Sequence, residues 1–167
     1  SRLAVNRGLK KSDKKGMELF GADAWRSIKD GFETADNPAR FLSSISQNLD
    51  EPSKRAIQNY AAYSMAKKGE LVADMKQRME EPQPTNVRIT PYKGRFVVQS
   101  VDSNGNIIES KDYDSEEDAN IYKERVATYI DNARKVQAYN DFILRDDTEK
   151  LFEQLGFDND TYALLQK

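Results

Sequence analysis

The sequence predicts an α+β fold, mostly helical, in which long antiparallel helices pack with a small two- or three-stranded antiparallel β-hairpin sheet. Three observations support this prediction. Apolar residues recur at helical spacing over much of the chain. Two segments rich in β-branched and aromatic residues flank the turn sequence Asn104-Gly105, which favours a hairpin. A heptad pattern then follows the hairpin.

Residues 1–15 are predicted to form a basic flexible arm or linker. This segment contains one acid, Asp13, and six basic residues, which are Arg2, Arg7, Lys10, Lys11, Lys14 and Lys15. Such a charge excess can mark a nucleic-acid-binding arm, because cations set against phosphates release counterions. No aromatic residue interleaves with these cations to stack on bases, which favours the linker.

Residues 16–81 are predicted to form a helical half. A first helix covers residues 21–35, and a second begins with Pro38 in its first turn. A third helix begins near Ser53, where Lys54 and Arg55 add basic residues that are a second candidate for phosphate contacts. This third helix extends to about Met79.

Gly69 leaves an alternative open within the third helix. It either ends a first half of the helix as a C-terminal cap, or is tolerated inside one continuous helix at a cost of about 1 kcal/mol relative to Ala. The sequence after residue 79 contains two prolines, Pro82 and Pro84, which end the helical pattern.

Residues 82–167 are predicted to contain the β-hairpin, a long helix and C-terminal helices, and to form one compact unit with residues 16–81. The strands cover residues 95–101 and 107–113, and Val87-Arg88-Ile89 is a candidate third strand. A two-residue loop predicts three cross-strand pairs: Val101 with Ile108, Val98 with Lys111, and Phe96 with Tyr113. It also places Phe96, Val98, Ile107 and Tyr113 on one face of the sheet and Val97, Val101 and Ile108 on the other.

Asp114 and Ser115 cap the long helix that follows the hairpin. Its heptad seam comprises Ala119, Tyr122, Val126, Tyr129, Ala133, Val136, Asn140 and Ile143. The seam either packs antiparallel on the third helix or serves as a protein-interaction face, for which the candidates are Tyr122, Tyr129, Val136 and Asn140. Further short helices are expected from Asp146 onward and near residues 158–165.

Composition excludes several kinds of chemistry. The chain has no His and no Cys, which removes Ser-His-Asp and Cys-His catalysis, disulfides and His- or Cys-ligated metals. The oxygen-rich segment 102–106 lacks the Gly and Glu that an EF-hand loop requires at its sixth and twelfth positions. Adjacent acids such as Asp146 and Asp147 point about 100° apart on a helix and form no converging pair. We therefore expect no enzyme, no catalytic residue, no metal and no cofactor.

The sequence also predicts the cellular compartment of the protein. It contains no run of about 18 apolar residues and no apolar segment of a secretory signal, so we expect a cytoplasmic protein without membrane association. Because the chain begins with Ser1, we expect it to be part of a longer polypeptide.

Two stretches carry a resemblance to known proteins. The strand-turn-strand-helix stretch 95–119 resembles small accessory modules of bacteria, phages and conjugative elements, and residues 54–69 look like part of the large polyvalent proteins of gut bacterial phages and mobile elements. This resemblance implies a non-catalytic module within a large protein that accompanies mobile DNA.

Taken together, these features predict a non-enzymatic interaction or assembly module that binds a protein partner or self-associates. The alternative is a nucleic-acid-binding accessory domain that uses the basic N-terminal arm and the Lys54–Arg55 region.

Overall fold

The structure, a computed structural model, describes residues 2–79 and 81–143, which contain five helices and a three-stranded antiparallel sheet. The predicted α+β, mostly helical fold class is confirmed. The chain divides into two compact units. In the described part of the chain, the helical unit comprises residues 2–70 and 135–143, and the sheet unit lies within Leu71–Arg134. The helices predicted beyond residue 145 lie outside the described residues.

Helix α1 covers Arg2–Phe20, so most of the segment expected to be a flexible arm or linker is helical. Its buried side is a stripe of small residues: Val5, Ser12 and Gly16 are buried, and Gly8 is half-buried. A stripe without large apolar residues gives a weak helical pattern, which explains why the sequence suggested an arm. The small residues let aromatic rings approach the helix backbone. A Cβ atom on Gly16 would lie 2.3 Å from Cε2 of Trp25.

Helices α2 (Ala22–Thr34) and α3 (Pro38–Ser46) follow the predicted order. Gly21, with a φ of 84°, supports the turn between α1 and α2, a conformation that favours glycine. The side chain of Asn37 caps α3 by accepting a hydrogen bond of 3.1 Å from the backbone N–H of Arg40. Pro38 lies in the first turn, as predicted.

Helix α4 covers Glu51–Lys76 without a break at Gly69, which settles the alternative in favour of one continuous helix. The carboxylate of Asp50 accepts a hydrogen bond of 2.8 Å from the backbone N–H of Ser53 and caps the first turn. Apart from its own helix backbone and chain neighbours, none of the described residues has a heavy atom within 4 Å of the position that a Cβ atom on Gly69 would take. This glycine therefore has no packing role.

The helical unit has an aromatic-rich core. Its fully enclosed members are Trp25, Phe32, Ala39, Leu42, Ile57, Ala61, Met65 and Tyr139. Glu33, near the end of α2, joins two other helices by hydrogen bonds. Its carboxylate accepts from the hydroxyl of Ser64 at 3.0 Å and from the ammonium of Lys68, and its backbone carbonyl accepts from Lys135. These bonds connect α2 to α4 and to the part of α5 that belongs to this unit.

The sheet unit contains strands β1 (Asn86–Tyr92), β2 (Arg95–Val101) and β3 (Ile107–Tyr113) in that order, all antiparallel. The predicted pairs Phe96–Tyr113 and Val98–Lys111 are confirmed. The predicted pair Val101–Ile108 is wrong, because a bulge between Ser100 and Val101 pairs Val101 with Ile107. The bulge also corrects the predicted faces: Val101 is buried, whereas the side chain of Ile107 is 50% exposed.

Helix α5 covers Glu116–Ile143, and its first turns pack on one face of the sheet. The side chain of Ser115 caps the helix by accepting a hydrogen bond of 3.1 Å from the backbone N–H of Asp118. The core of the sheet unit contains Met79, Val87, Val98, Ala119, Tyr122, Val126 and Tyr129. The first half of the predicted heptad seam thus lies inside the chain's own core. Tyr139, which the seam omitted, is fully enclosed in the helical unit.

Candidate nucleic-acid interface

The side of α1 opposite its buried stripe is basic. Five exposed cations recur at the spacing of one helix face, and they are Arg7, Lys10, Lys11, Lys14 and Lys15. At about 100° per residue they fall within an arc of about 140°, over roughly 12 Å of helix length. Arg2 is also exposed but falls outside this spacing. We call these five residues the basic face.

The acid among the first fifteen residues does not neutralise the basic face. The carboxylate of Asp13 accepts hydrogen bonds from the indole N–H of Trp25 at 2.7 Å and from the ammonium of Lys29 at 2.8 Å. The hydrogen bond from Lys29, assisted by that from Trp25, holds the pKa of Asp13 below its ordinary value. Asp13 is therefore engaged with α2, and none of the five cations of the basic face forms an ion pair with a described residue.

The basic face borders a groove that lies within the helical unit between α1 and the first turns of α4. The groove has a volume of about 640 Å³. Four of the predicted phosphate-contacting residues line it together: Lys11, Lys14, Lys15 and Arg55. Two acids, Glu18 and Glu51, also line the groove, so cations outnumber acids there by four to two. We call this space the α1–α4 groove.

Two further residues of α4, Tyr63 and Asn59, shape the α1–α4 groove. The ring of Tyr63 lies so close to Gly8 that a Cβ atom there would be 2.3 Å from its Cε1 atom. The side-chain oxygen of Asn59 is enclosed, and no donor among the described residues reaches it. An aromatic ring thus lies beside the four cations, whereas the Asn59 oxygen is shielded from the groove.

The other predicted phosphate contact on α4, Lys54, does not line the groove. Its ammonium lies 3.9 Å from a carboxylate oxygen of Glu51, and its side chain is only 21% exposed. The structure therefore brings Arg55 together with Lys11, Lys14 and Lys15 in one groove. The other predicted phosphate contacts do not line it, and they are Arg2, Arg7, Lys10 and Lys54. Asn59 was not predicted, because nothing in its local sequence marks it as a residue that will line a groove with α1.

The residues predicted as a protein-interaction face are largely covered by the chain itself. Tyr122 and Tyr129 are buried in the core of the sheet unit, and Val136 and Asn140 are half-buried. The hydroxyl of Tyr122 donates to Glu109 at 3.1 Å, and that of Tyr129 donates to Gln83. Burial is the main reason why the pKa values of both tyrosines are raised. The burial of these tyrosines favours packing of the heptad seam within the chain over its use as a self-association face.

A second groove lies within the sheet unit, between the end of α4 and α5. Its volume is about 490 Å³. The side chains of Leu71 and Ile121 line it and are 52% and 54% exposed. The lining also carries both signs of charge, from Asp74, Arg78, Glu124 and Arg125. We call this space the α4–α5 groove.

Metal sites and membrane-spanning helices were also sought among the described residues. Among residues 2–79 and 81–143, no three His, Cys, Asp or Glu side chains are placed to hold a metal ion. None of the described helices combines the length and the apolar character needed to cross a membrane. Comparison with protein-family models, curated proteins and solved structures finds no match for this chain.

Proposed function

We propose that this protein is a non-enzymatic nucleic-acid-binding domain that grips the phosphate backbone with the basic face of α1 and the adjoining α1–α4 groove. The observation that carries the proposal is the convergence of Lys11, Lys14 and Lys15 with Arg55, which is 40 residues further along the chain, on one groove. If the lysines of α1 were only a solvated charged surface, there would be no reason for a cation from a different helix to lie beside them, whereas a phosphate-binding site gathers cations in one place.

The shape of the site favours nucleic acid over an anionic membrane surface. A membrane is broad and nearly flat, so it can meet the exposed side of α1 but cannot enter a groove between two helices. A chain of phosphates can follow the basic face and also reach Arg55 within the groove. The exposed large apolar side chains of α1, which are Leu3, Met17 and Leu19, lie near its two ends and form no continuous apolar face for insertion into a bilayer.

The proposal is tested by fluorescence anisotropy with a labelled single strand and a labelled duplex. We expect the wild-type chain to bind, and a Lys10→Ala/Lys14→Ala/Lys15→Ala variant to bind at least tenfold more weakly, because three phosphate contacts are lost. All three side chains are exposed, so the variant should keep its circular dichroism spectrum and melting temperature.

A matched control removes three exposed cations elsewhere, in a Lys67→Ala/Lys76→Ala/Arg78→Ala variant. It makes the same change in net charge, and we expect its affinity to stay within about twofold of wild type if position matters more than total charge. Equal losses in both variants, or no wild-type binding at low salt, would contradict the proposal. Binding to phosphatidylserine vesicles without binding to either oligonucleotide would point to a membrane surface instead.

A second candidate function is assembly, which was the first prediction from the sequence. It now rests on the α4–α5 groove, where exposed Leu71 and Ile121 lie among two acids and two arginines. A surface with both signs of charge can complement a second copy of itself across a two-fold axis. Light scattering should then give twice the 19.1 kDa monomer mass for the wild type and the monomer mass for Ile121→Asp. A monomeric wild type at high concentration would remove this candidate.

The proposed role suits the resemblance of residues 54–69 and 95–119 to modules of large polyvalent proteins of phages and mobile elements. Such proteins accompany mobile DNA, so a domain that holds nucleic acid without modifying it would have a use within them. On this resemblance, we propose that the chain is a module of such a protein.

A further inference from the structure

We infer that the outer edge of β3 pairs with the same edge of a second copy of this chain, antiparallel and about a two-fold axis at Ser110. The two three-stranded sheets would then form one continuous sheet. This inference goes beyond the proposed function, because it does not depend on nucleic-acid binding. It also assigns self-association to a surface other than the α4–α5 groove.

The outer edge of β3 is open in the described part of the chain. The strand order is β1-β2-β3, so β3 is paired with β2 on one side only. None of the described residues forms a ladder with its other side, where Ser110, Lys111 and Asp112 are exposed. The backbone N–H and C=O groups along such an edge are a template for another strand.

The opposite edge of the sheet is less suited to pairing. Strand β1 contains Pro91, which has no N–H group to donate to a neighbouring strand. Strand β3 contains no proline, and its pairing with β2 is regular from Glu109 to Tyr113, beyond the bulge near its start. We therefore expect a second copy to add to β3 and not to β1.

The charges of β3 complement each other around Ser110. With the two-fold axis there, each Glu109 lies opposite Lys111 of the second copy, which gives two pairs of opposite charge. An axis at Glu109 would set two acids opposite each other, and an axis at Lys111 would set two cations opposite each other. Like charges directly opposite are destabilising, so the sequence of the strand selects Ser110 as the centre.

Contacts within the chain already hold these charged side chains in place. The carboxylate of Glu109 accepts a hydrogen bond of 3.1 Å from the hydroxyl of Tyr122 and lies 3.5 Å from the ammonium of Lys111. That ammonium lies 4.5 Å from the centre of the Tyr122 ring. Side chains that are positioned before association lose less conformational freedom when the complex forms.

The alternative account is that Lys111 keeps other strands away from this edge, as lysines on edge strands commonly do. A lysine with that role needs no acid at the position that self-pairing sets opposite it, yet Glu109 occupies that position. The two accounts differ in what they predict when the charges are exchanged between two copies.

The test measures self-association by light scattering at high protein concentration, for the wild type and for the variants Glu109→Lys and Lys111→Glu. We expect the wild type to exceed the monomer mass of 19.1 kDa. Each variant alone sets like charges opposite each other, so its self-association should be at least tenfold weaker than that of the wild type. An equimolar mixture of the two variants restores both pairs of opposite charge and should associate as the wild type does.

Two results would overturn the inference: a monomeric wild type, or a mixture of folded variants that associates no better than either variant alone. Circular dichroism establishes that each variant is folded. Ile121→Asp is the control for the α4–α5 groove, and it should associate as tightly as the wild type. A monomeric Ile121→Asp protein would instead place the interface at that groove.

A cross-linking experiment locates the axis without changing a charge. The chain has no cysteine, so Ser110→Cys introduces a single thiol at an exposed position on β3. The thiols of two copies would lie directly opposite each other, and a short bismaleimide should join them into a covalent dimer. Thr90→Cys, at an exposed position on β1, is the matched control and should stay monomeric. Equal cross-linking of the two variants would overturn the placement of the interface on β3.

Discussion

Gly16 offers the sharpest test of how α1 packs, and the substitution Gly16→Ala is the perturbation we would make. In an exposed helix this change stabilises a protein by up to about 1 kcal/mol, because Ala has the higher helix propensity. Here the new Cβ atom would lie 2.3–2.4 Å from three atoms of the Trp25 ring. Real Cβ atoms do not approach other atoms so closely, and the side chain of Trp25 is only 1% exposed, so the ring has little room to move.

The expected magnitude follows from opposing terms. Overpacking of a well-filled core costs about 1–3 kcal/mol. A displaced ring also weakens the hydrogen bond of 2.7 Å from Trp25 to the Asp13 carboxylate, and a bond of this charged kind contributes about 1.5–3 kcal/mol when intact. If half of the bond's contribution is lost and the helix-propensity gain of about 1 kcal/mol is subtracted, we expect a net loss of roughly 1–3.5 kcal/mol in the free energy of unfolding.

The assay is urea unfolding followed by tryptophan fluorescence. Trp25 is the one tryptophan of the chain, so its emission reports on the helical unit directly. Gly69→Ala is the matched control, because Gly69 also lies inside a helix but has open space where its Cβ atom would be added. We expect Gly69→Ala to raise stability by about 0.5–1 kcal/mol. A Gly16→Ala protein as stable as the wild type would refute the close packing of α1 on Trp25.

Three further predictions concern ionisable side chains. Asp13→Asn should lower the free energy of unfolding by about 1 kcal/mol at neutral pH. Because the hydrogen bond from Lys29 lowers the pKa of Asp13 in the folded protein, the ionised carboxylate stabilises the fold above the ordinary pKa of 3.8, and this stabilisation is lost as the pH falls through the folded pKa. The melting temperatures of the wild type and the variant should therefore converge in acid. Tyr122→Phe should cost about 0.5–1.5 kcal/mol by urea unfolding, since it removes the hydrogen bond to Glu109, and no loss would contradict that bond. Burial raises the pKa of Tyr60 to about 12, so the stability that its neutral form contributes is lost as the pH rises through that value. In a pH titration, the tyrosinate absorbance of the wild type should differ from that of Tyr60→Phe near pH 12 instead of near pH 10.

Sequence patterns predicted the elements whose signals are local. The Asn104-Gly105 turn, the alternation of residues 95–101 and the heptad from Ala119 all depend on residues close together in the chain. The sheet and the start of α5 therefore appeared where expected. The pair Val101–Ile108 failed because a bulge depends on how the sheet packs and on the wider loop that Asp102 stabilises, in which its carboxylate accepts from the backbone N–H groups of Asn104 and Asn106 at 2.9 Å.

Helix α1 was missed for a different reason. Its inward positions are Val5, Gly8, Ser12 and Gly16, and their small size makes sense only beside the rings of Trp25 and Tyr63 from other helices. A pattern of large apolar residues reveals a core-facing helix, whereas a stripe of small residues does not.

The candidate site was partly predictable for a related reason. The sequence identified the lysines of residues 10–15 and Arg55 as cations that can meet phosphate. Their convergence on one groove depends on long-range packing of α1 beside α4, which residues from one segment cannot encode alone. The same groove is lined by Tyr63 and Asn59 of α4, which only the folded chain brings beside α1.

The salt dependence of wild-type binding to a single strand shows whether the basic face meets phosphates. If the five cations of the basic face and Arg55 each meet one phosphate, the logarithm of the association constant should fall against the logarithm of salt concentration with a slope of about −4. Affinity should then drop by about 300-fold between 50 and 200 mM salt. A slope near zero, or no binding at the lower concentration, would contradict the claim that this surface binds nucleic acid.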